Sequence, residues 1–201
     1  MQKFKKELSF ILIFGLVVAL FGACSDEEYF KADPIANSKT IDIDTYTYLS
    51  SKPDQFSAFV EVIDLSNSKE LINNANSTVI APQNYSIKRF VFEQGKETLS
   101  DFQAEELQNL LKQYIVNARI VSEDLTQPVS TTNIFGGELV FEIKREKWKG
   151  VDNIGPQYIS LNNLKNINDD KDDIQVKVVT PDLQTTTGVV HVLTNDHLFG
   201  F

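Results

Sequence analysis

Beyond residue 50, apolar side chains first recur at helical spacing and then, past residue 115, fall into short strand-like runs. Phe56, Phe59, Val60 and Ile63 form one stripe with Gln55, Ser57 and Glu61 between them. The spacing predicts a core-facing helix, opened by a side-chain acceptor at Ser51 and Asp54 three positions on. A polar patch at Asn67, Asn73, Asn74 and Asn76 interrupts it. Thr78-Val79-Ile80-Ala81 then reads as a short buried strand, which Pro82 terminates because proline cannot donate to a sheet ladder. Asn84 is placed to cap a second helix carrying Ile87, Phe90 and Val91, and Gly95 ends it. Ser100 and Gln103, with Leu99 as a hydrophobic staple, open a third helix through Leu107, Leu110, Leu111 and Tyr114 into Ile115-Val116. The strands that follow are predicted over Leu139–Lys144, Tyr158–Leu161, Ile174–Thr180 and Gly188–Leu193. Turn chemistry at Gly136-Gly137, Lys149-Gly150 and Gly155-Pro156 separates them. Helices gathered first and strands second predict an α+β domain, because a doubly wound parallel sheet would alternate the two.

The first 40 residues carry a different pattern. Lys3, Lys5 and Lys6 precede an apolar run from Phe10 to Phe21, and Gly22-Ala23 lead to Cys24, the only cysteine. About 20 apolar residues are needed to span a bilayer as a helix, so this shorter run reads as an export signal covering 1–23. Leu20-Phe21-Gly22-Ala23-Cys24 resembles the lipobox of bacterial lipoproteins, with Cys24 as the lipidated residue and Phe21 in place of the usual smaller side chain. The alternative is that Cys24 merely ends an ordinary secretory signal. Ser25-Asp26-Glu27-Glu28 resembles the surface-export signal of lipoproteins from Gram-negative bacteria of the Bacteroidota type. It also reads as the start of a solvated tether over 24–40. The expected location is the outer membrane, lipid-anchored and facing outward.

Composition narrows the rest. The chain has 201 residues, 42% of them hydrophobic, enough for one core over 41–201. Beyond the leader, 27 acidic residues face 16 basic ones. Such a field repels phosphate backbones, which disfavours nucleic acid. With Cys24 committed to lipid, no thiol remains for a disulfide, a nucleophile or a thiolate metal site.

Three separated stretches resemble the fasciclin domain in order and spacing. Ser77-Thr78-Val79-Ile80-Ala81-Pro82-Gln83-Asn84-Tyr85 is similar to its opening signature, with Thr78, Ala81 and Pro82 at the matching places. Leu110-Leu111-Lys112-Gln113-Tyr114-Ile115-Val116-Asn117-Ala118-Arg119-Ile120 resembles its central segment through Tyr114. Ile115 and Ala118 stand there at the usual histidine and glycine. Thr180 through Leu193, with Gly188 and His191, is close to the closing signature, and Thr187 stands where asparagine is common. The resemblance implies a wedge of short strands flanked by helices, surface placement, and adhesion or protein binding without catalysis. The bacterial single-domain branch it resembles often accompanies outer-membrane glycan-uptake systems, which implies an accessory glycan-binding role as the alternative.

Two residues are candidates for binding. Asp182, in Pro181-Asp182-Leu183, lies where animal fasciclin proteins carry an adhesion motif. A receptor role predicts that Asp182→Ala weakens adhesion at unchanged melting temperature, whereas a turn-capping role predicts lost stability. Trp148, between Lys147 and Lys149, is expected on a turn, either exposed as a platform for a glycan or protein, or folded back on the domain. His191 and His197 are too few for zinc, and His191 between valines reads as a buried structural histidine. Asp169-Asp170-Lys171-Asp172-Asp173 lacks the glycine and distant glutamate of a calcium loop, so it reads as solvated. No nucleophile elbow or phosphate-binding loop is visible, so neither a cofactor nor an enzymatic activity is expected.

Overall fold

A computed structural model describes residues 39–162 and 175–200. They fall within one compact unit, Pro34–Phe201. The leader, Cys24, the tether before Lys39 and the acidic run 169–173 lie outside the described residues.

The chain enters on a short strand, β1 (Lys39–Thr40), and turns into helix α1 (Thr45–Ser50). Asp44 caps α1, its carboxylate accepting from the Thr47 N–H at 2.9 Å and the Thr47 hydroxyl at 2.7 Å. Those bonds hold the Asp44 carboxyl below the usual carboxylate range. Helix α2 (Pro53–Leu65) follows, and its buried stripe is Phe56, Ala58, Phe59, Val62 and Ile63. Ser51 does not cap α2. Its hydroxyl donates back to the Tyr48 carbonyl and closes α1, while α2 begins with proline, whose missing N–H costs nothing in a first turn.

A one-turn helix, α3 (Lys69–Ile72), occupies the polar patch and drives Ile72 into the core. Strand β2 (Ser77–Ala81) is buried throughout, and helix α4 (Asn84–Glu93) springs from its end. Asn84 does not cap α4: its side chain accepts from the Ala58 N–H and donates to the Pro53 and Asp54 carbonyls, bracing the first turns of α2. The capping box before the next helix also sits two residues early. Thr98 and Asp101 form it around a 3-10 turn, Leu99–Asp101, and helix α5 (Ala104–Lys112) starts afterwards. Leu99 and Phe102 are both buried.

The remaining strands are β3 (Ile115–Val116), β4 (Val129–Thr132), β5 (Glu138–Arg145), β6 (Gln157–Asn162), β7 (Gln175–Gln184) and β8 (Gly188–Leu193). The sheet runs in the order β3-β2-β8-β7-β6-β5-β4, with β1 added in parallel on β7. Strands β2 and β8 are parallel, and the other neighbouring pairs are antiparallel. The two ends of the path meet. Val116 on β3 bridges Asn133 just past β4, and the Ile134 N–H donates to the Ile115 carbonyl at 2.9 Å. Curling in this way leaves little open edge.

Strand β7 joins the two halves of the sheet. It pairs with β6 over Gln175–Lys177 and with β8 from Val178 onward. Two register shifts interrupt the β8 pairing, one at Val179 and one at Pro181-Asp182, where two residues oppose His191 alone. Bulges bend a strand and tighten its twist, so β7 serves two sheet directions and accommodates Pro181 without losing a ladder bond. Past the bulges, β1 takes the edge of β7 that faces β6 further back. One contiguous core joins the helix stripes to the inward faces of the strands. The architecture is α+β, with the helices mainly in the N-terminal half.

Candidate functional site

The polar side chains that look most like chemistry are inside, and they bond to one another. The Thr78 hydroxyl donates to the Ala118 carbonyl at 2.6 Å and accepts the Ile120 N–H at 2.9 Å. His191, fully buried, bonds the same segment through Nε2 to the Ile120 carbonyl at 3.0 Å. A carbonyl can only accept, so Nε2 carries the proton, and Nδ1 is left to accept the Asp182 N–H at 3.2 Å. The ring is therefore neutral with both nitrogens used. Burial holds its pKa below the ordinary 6.5, and the nearby Asp182 charge offsets that only in part.

Asp182 sits in the left-handed region, φ 56°, at the second bulge, a conformation that aspartate tolerates better than most residues. It is 2% exposed. One carboxylate oxygen accepts the Ser122 N–H at 2.9 Å and the other accepts the Ser122 hydroxyl. The candidate adhesion residue thus turns its charge inward. Thr78, His191 and Asp182 together stitch the 118–122 segment onto β2, β8 and β7.

Tyr114 anchors the C-terminal stretch in a similar way. Its hydroxyl accepts the Gly200 N–H at 2.9 Å and shares a 2.6 Å bond with His197 Nε2, while its ring stacks on Phe199. Full burial raises the Tyr114 pKa. Ala81 and Pro82 are buried at the β2–α4 corner, and Gly188 lies against β2 so closely that a Cβ would stand 2.3 Å from the Ser77 carbonyl oxygen. A third knot, which sequence reasoning missed, joins Thr45 to Thr185 and Thr187 on the β7–β8 turn through hydroxyl contacts of 2.8 and 3.0 Å. Its signal was the Thr185-Thr186-Thr187 run itself. Among the described residues no group of three or more His, Cys, Asp or Glu side chains could hold a metal, and no helix is long and apolar enough to cross a membrane.

The exposed face carries aromatics instead. Trp148 and Val151 bridge across a two-residue turn at Lys149-Gly150, with φ 48° and 83°. Positive φ at both central residues is the signature of the type I′ turn that suits a tight hairpin. Trp148 is 55% exposed there, the open alternative of the two that its sequence position allowed. On α4, Tyr85 and Phe92 stand two turns apart on the outward side with Arg89 between them, and Phe92 is 81% exposed. Sequence reasoning passed over this pair because it followed the buried stripe of the same helix. A shallow groove beside α5 is lined by Glu106, Leu110, Gln113 and the exposed Phe135.

The model of the Fasciclin domain family matches residues 54–195, most of the described chain. The chain belongs to the fasciclin family. Its fasciclin domain is also similar to a solved structure, a domain pair from the insect cell adhesion molecule Fasciclin I, at 16% identity and a TM-score of 0.44. That match covers 78% of this chain and 45% of the insect chain, so the protein spans under half the length of this fasciclin relative. Among curated proteins no relative matches.

Proposed function

We propose that this protein is a surface-anchored recognition module: a fasciclin domain, tethered through lipid on Cys24, that binds another envelope or extracellular protein without doing chemistry. The observation that carries the reading is the division of side chains. Asp182, His191, Tyr114 and His197 are buried and bonded to one another or to backbone, whereas Tyr85 and Phe92 face water from a helix whose opposite face is packed. Aromatic side chains around an arginine are the residue types that dominate protein–protein binding energy. The lipobox-like leader and the acidic tether support placement outside the outer membrane.

Attachment of cells or beads bearing the protein should fall several-fold in the Tyr85→Ser, Phe92→Ser double variant while the melting temperature stays put. Undiminished attachment would remove α4 as the recognition face. The second reading, an accessory glycan-binding lipoprotein beside an outer-membrane importer, is favoured by the exposed indole of Trp148. Oligosaccharides that bind there should shift its fluorescence, and a flat titration would end that reading.

A further inference from the structure

The tip of the β5–β6 hairpin exposes more than an indole. All eight residues of Lys147–Ile154 are exposed, and three of them, Trp148, Val151 and Ile154, are large apolar side chains at least 54% exposed. Val151 and Ile154 are aliphatic, so they offer a glycan neither a stacking face nor a hydrogen bond. Four basic residues, Lys144, Arg145, Lys147 and Lys149, fall within six positions of a chain whose net charge is −9. Lys144 pairs with Glu142 at 3.4 Å, Lys147 with Asp152 at 3.3 Å, and Glu146 with Lys177, so Arg145 and Lys149 carry the surplus positive charge. A tryptophan, aliphatic neighbours and lysines together are the equipment of a segment that sits at a lipid headgroup boundary.

We infer that this tip is a membrane-interface contact that seats the domain on an anionic lipid surface. An anionic bilayer repels the acidic body of the protein and attracts the basic tip, so charge alone selects the orientation. The tip is also preformed. Its type I′ turn and the close backbone packing of Gly155, where a Cβ would lie 2.6 Å from the Glu146 carbonyl oxygen, fix its shape before any contact. A rigid element loses little freedom on binding.

The position fits as well. Strand β6 meets β7 from Asn162 on Gln175, at the hairpin base, to Ser160 on Lys177, nearer the tip, and β1 lies on the same edge further on, at Leu183 and Gln184, so the described chain enters at the end of β7 that points toward the tip. From Cys24 to Lys39 is 15 residues, or about 50 Å when extended, which lets the tip reach the bilayer that holds the lipid. The location of the contact rests on the anchored reading of Cys24, but the tip's affinity for lipid does not.

Trp148 is the only tryptophan, so indole fluorescence reads the tip directly. With the full chain purified from its membrane, vesicles of 30% phosphatidylglycerol in phosphatidylcholine should shift the emission to the blue. Bromine-labelled acyl chains in those vesicles should quench it. Reversing charge with Lys147→Glu and Lys149→Glu should weaken the response by about tenfold or more, and Val151→Ser with Ile154→Ser should abolish the quenching. All four side chains are exposed, so the melting temperature should hold in each variant. Emission unchanged on anionic vesicles, or a shift given by neutral oligosaccharides alone, would overturn the proposal. Flotation on neutral vesicles reads the anchor separately. A chain that fails to float there yet is quenched on anionic lipid would remove the anchored reading and leave the tip contact standing.

Discussion

Asp182 carries the sharpest contrast between what a residue looks like in sequence and what it does in space. Its carboxylate accepts two bonds from Ser122, its N–H donates to His191, and its φ is 56°. Asp182→Ala removes the two carboxylate bonds to Ser122 and leaves a residue with no side-chain bond in the left-handed region. The expected cost is about 3 kcal/mol, a fall in Tm of roughly 6–12 °C. Asp182→Asn keeps the backbone preference and one acceptor, so it should lose about half as much. Thermal unfolding followed by circular dichroism measures both, and an unchanged Tm for the alanine variant would favour the contact role of Asp182 over the structural one. The sequence made capping foreseeable from how readily aspartate bonds nearby backbone. It did not reveal Ser122 as the partner, because 60 positions separate the two and only the β7 bulge brings them together.

At the level of elements, β8 was legible residue by residue and β7 was not. Val189, Val190 and Val192 mark Gly188–Leu193 as a strand between the polar Thr187 and Thr194, and all of it but Gly188 is buried. β7 was expected to stop at Thr180, yet it runs on through Pro181 to Gln184. A bulge supplies the extra residue that removes proline from the ladder, and bulges leave no periodic trace. Helix starts misled for a related reason: Ser51, Asn84 and Ser100 are all side chains able to cap, but Ser51 and Asn84 satisfy neighbouring elements, and the box at the third start belongs to Thr98. The parallel β2–β8 pair was invisible for want of any local signal. It has a consequence at Gly188, where a methyl group would collide with the Ser77 backbone. Gly188→Ala should therefore force the two strands apart at a cost of about 1–3 kcal/mol, read as a lower midpoint in urea unfolding. An unchanged midpoint would mean that the two backbones have room to separate.

For the molecule as a whole, acid should act in two stages. His191 is held neutral in the fold with its pKa below the ordinary 6.5, so between those values the unfolded chain binds more protons than the folded one. The histidine's contribution is present above about pH 6.5 and is lost as pH falls below it. Asp44 and Asp101 are shifted downward by backbone N–H bonds, to Thr47 in one case and to Thr98 and Glu97 in the other. Their contribution is present above the ordinary carboxylate value and is lost below about pH 4. Urea midpoints from pH 8 to 3 should fall first near pH 6 and again below 4. Replacing His191 by glutamine, which also offers a donor and an acceptor, should flatten the first step, and a first step that survives this change would assign it elsewhere. The fold class and the family were open to sequence reasoning because helical stripes and a buried terminal strand are local patterns. The curled closure of the sheet and the aromatic face of α4 depend on which elements meet.

Strand β1 has a mechanical meaning. Among the described residues, a pull on the N-terminal side of the domain reaches the sheet first through Lys39 and Thr40, a two-residue parallel contact on β7. Next in line are the Ile41 and Thr186 backbone bonds and the threonine knot at Thr45. Drag from flowing water would thus load a short series of hydrogen bonds beside the β7–β8 turn before any core helix felt the strain, so the tether side works as a fuse.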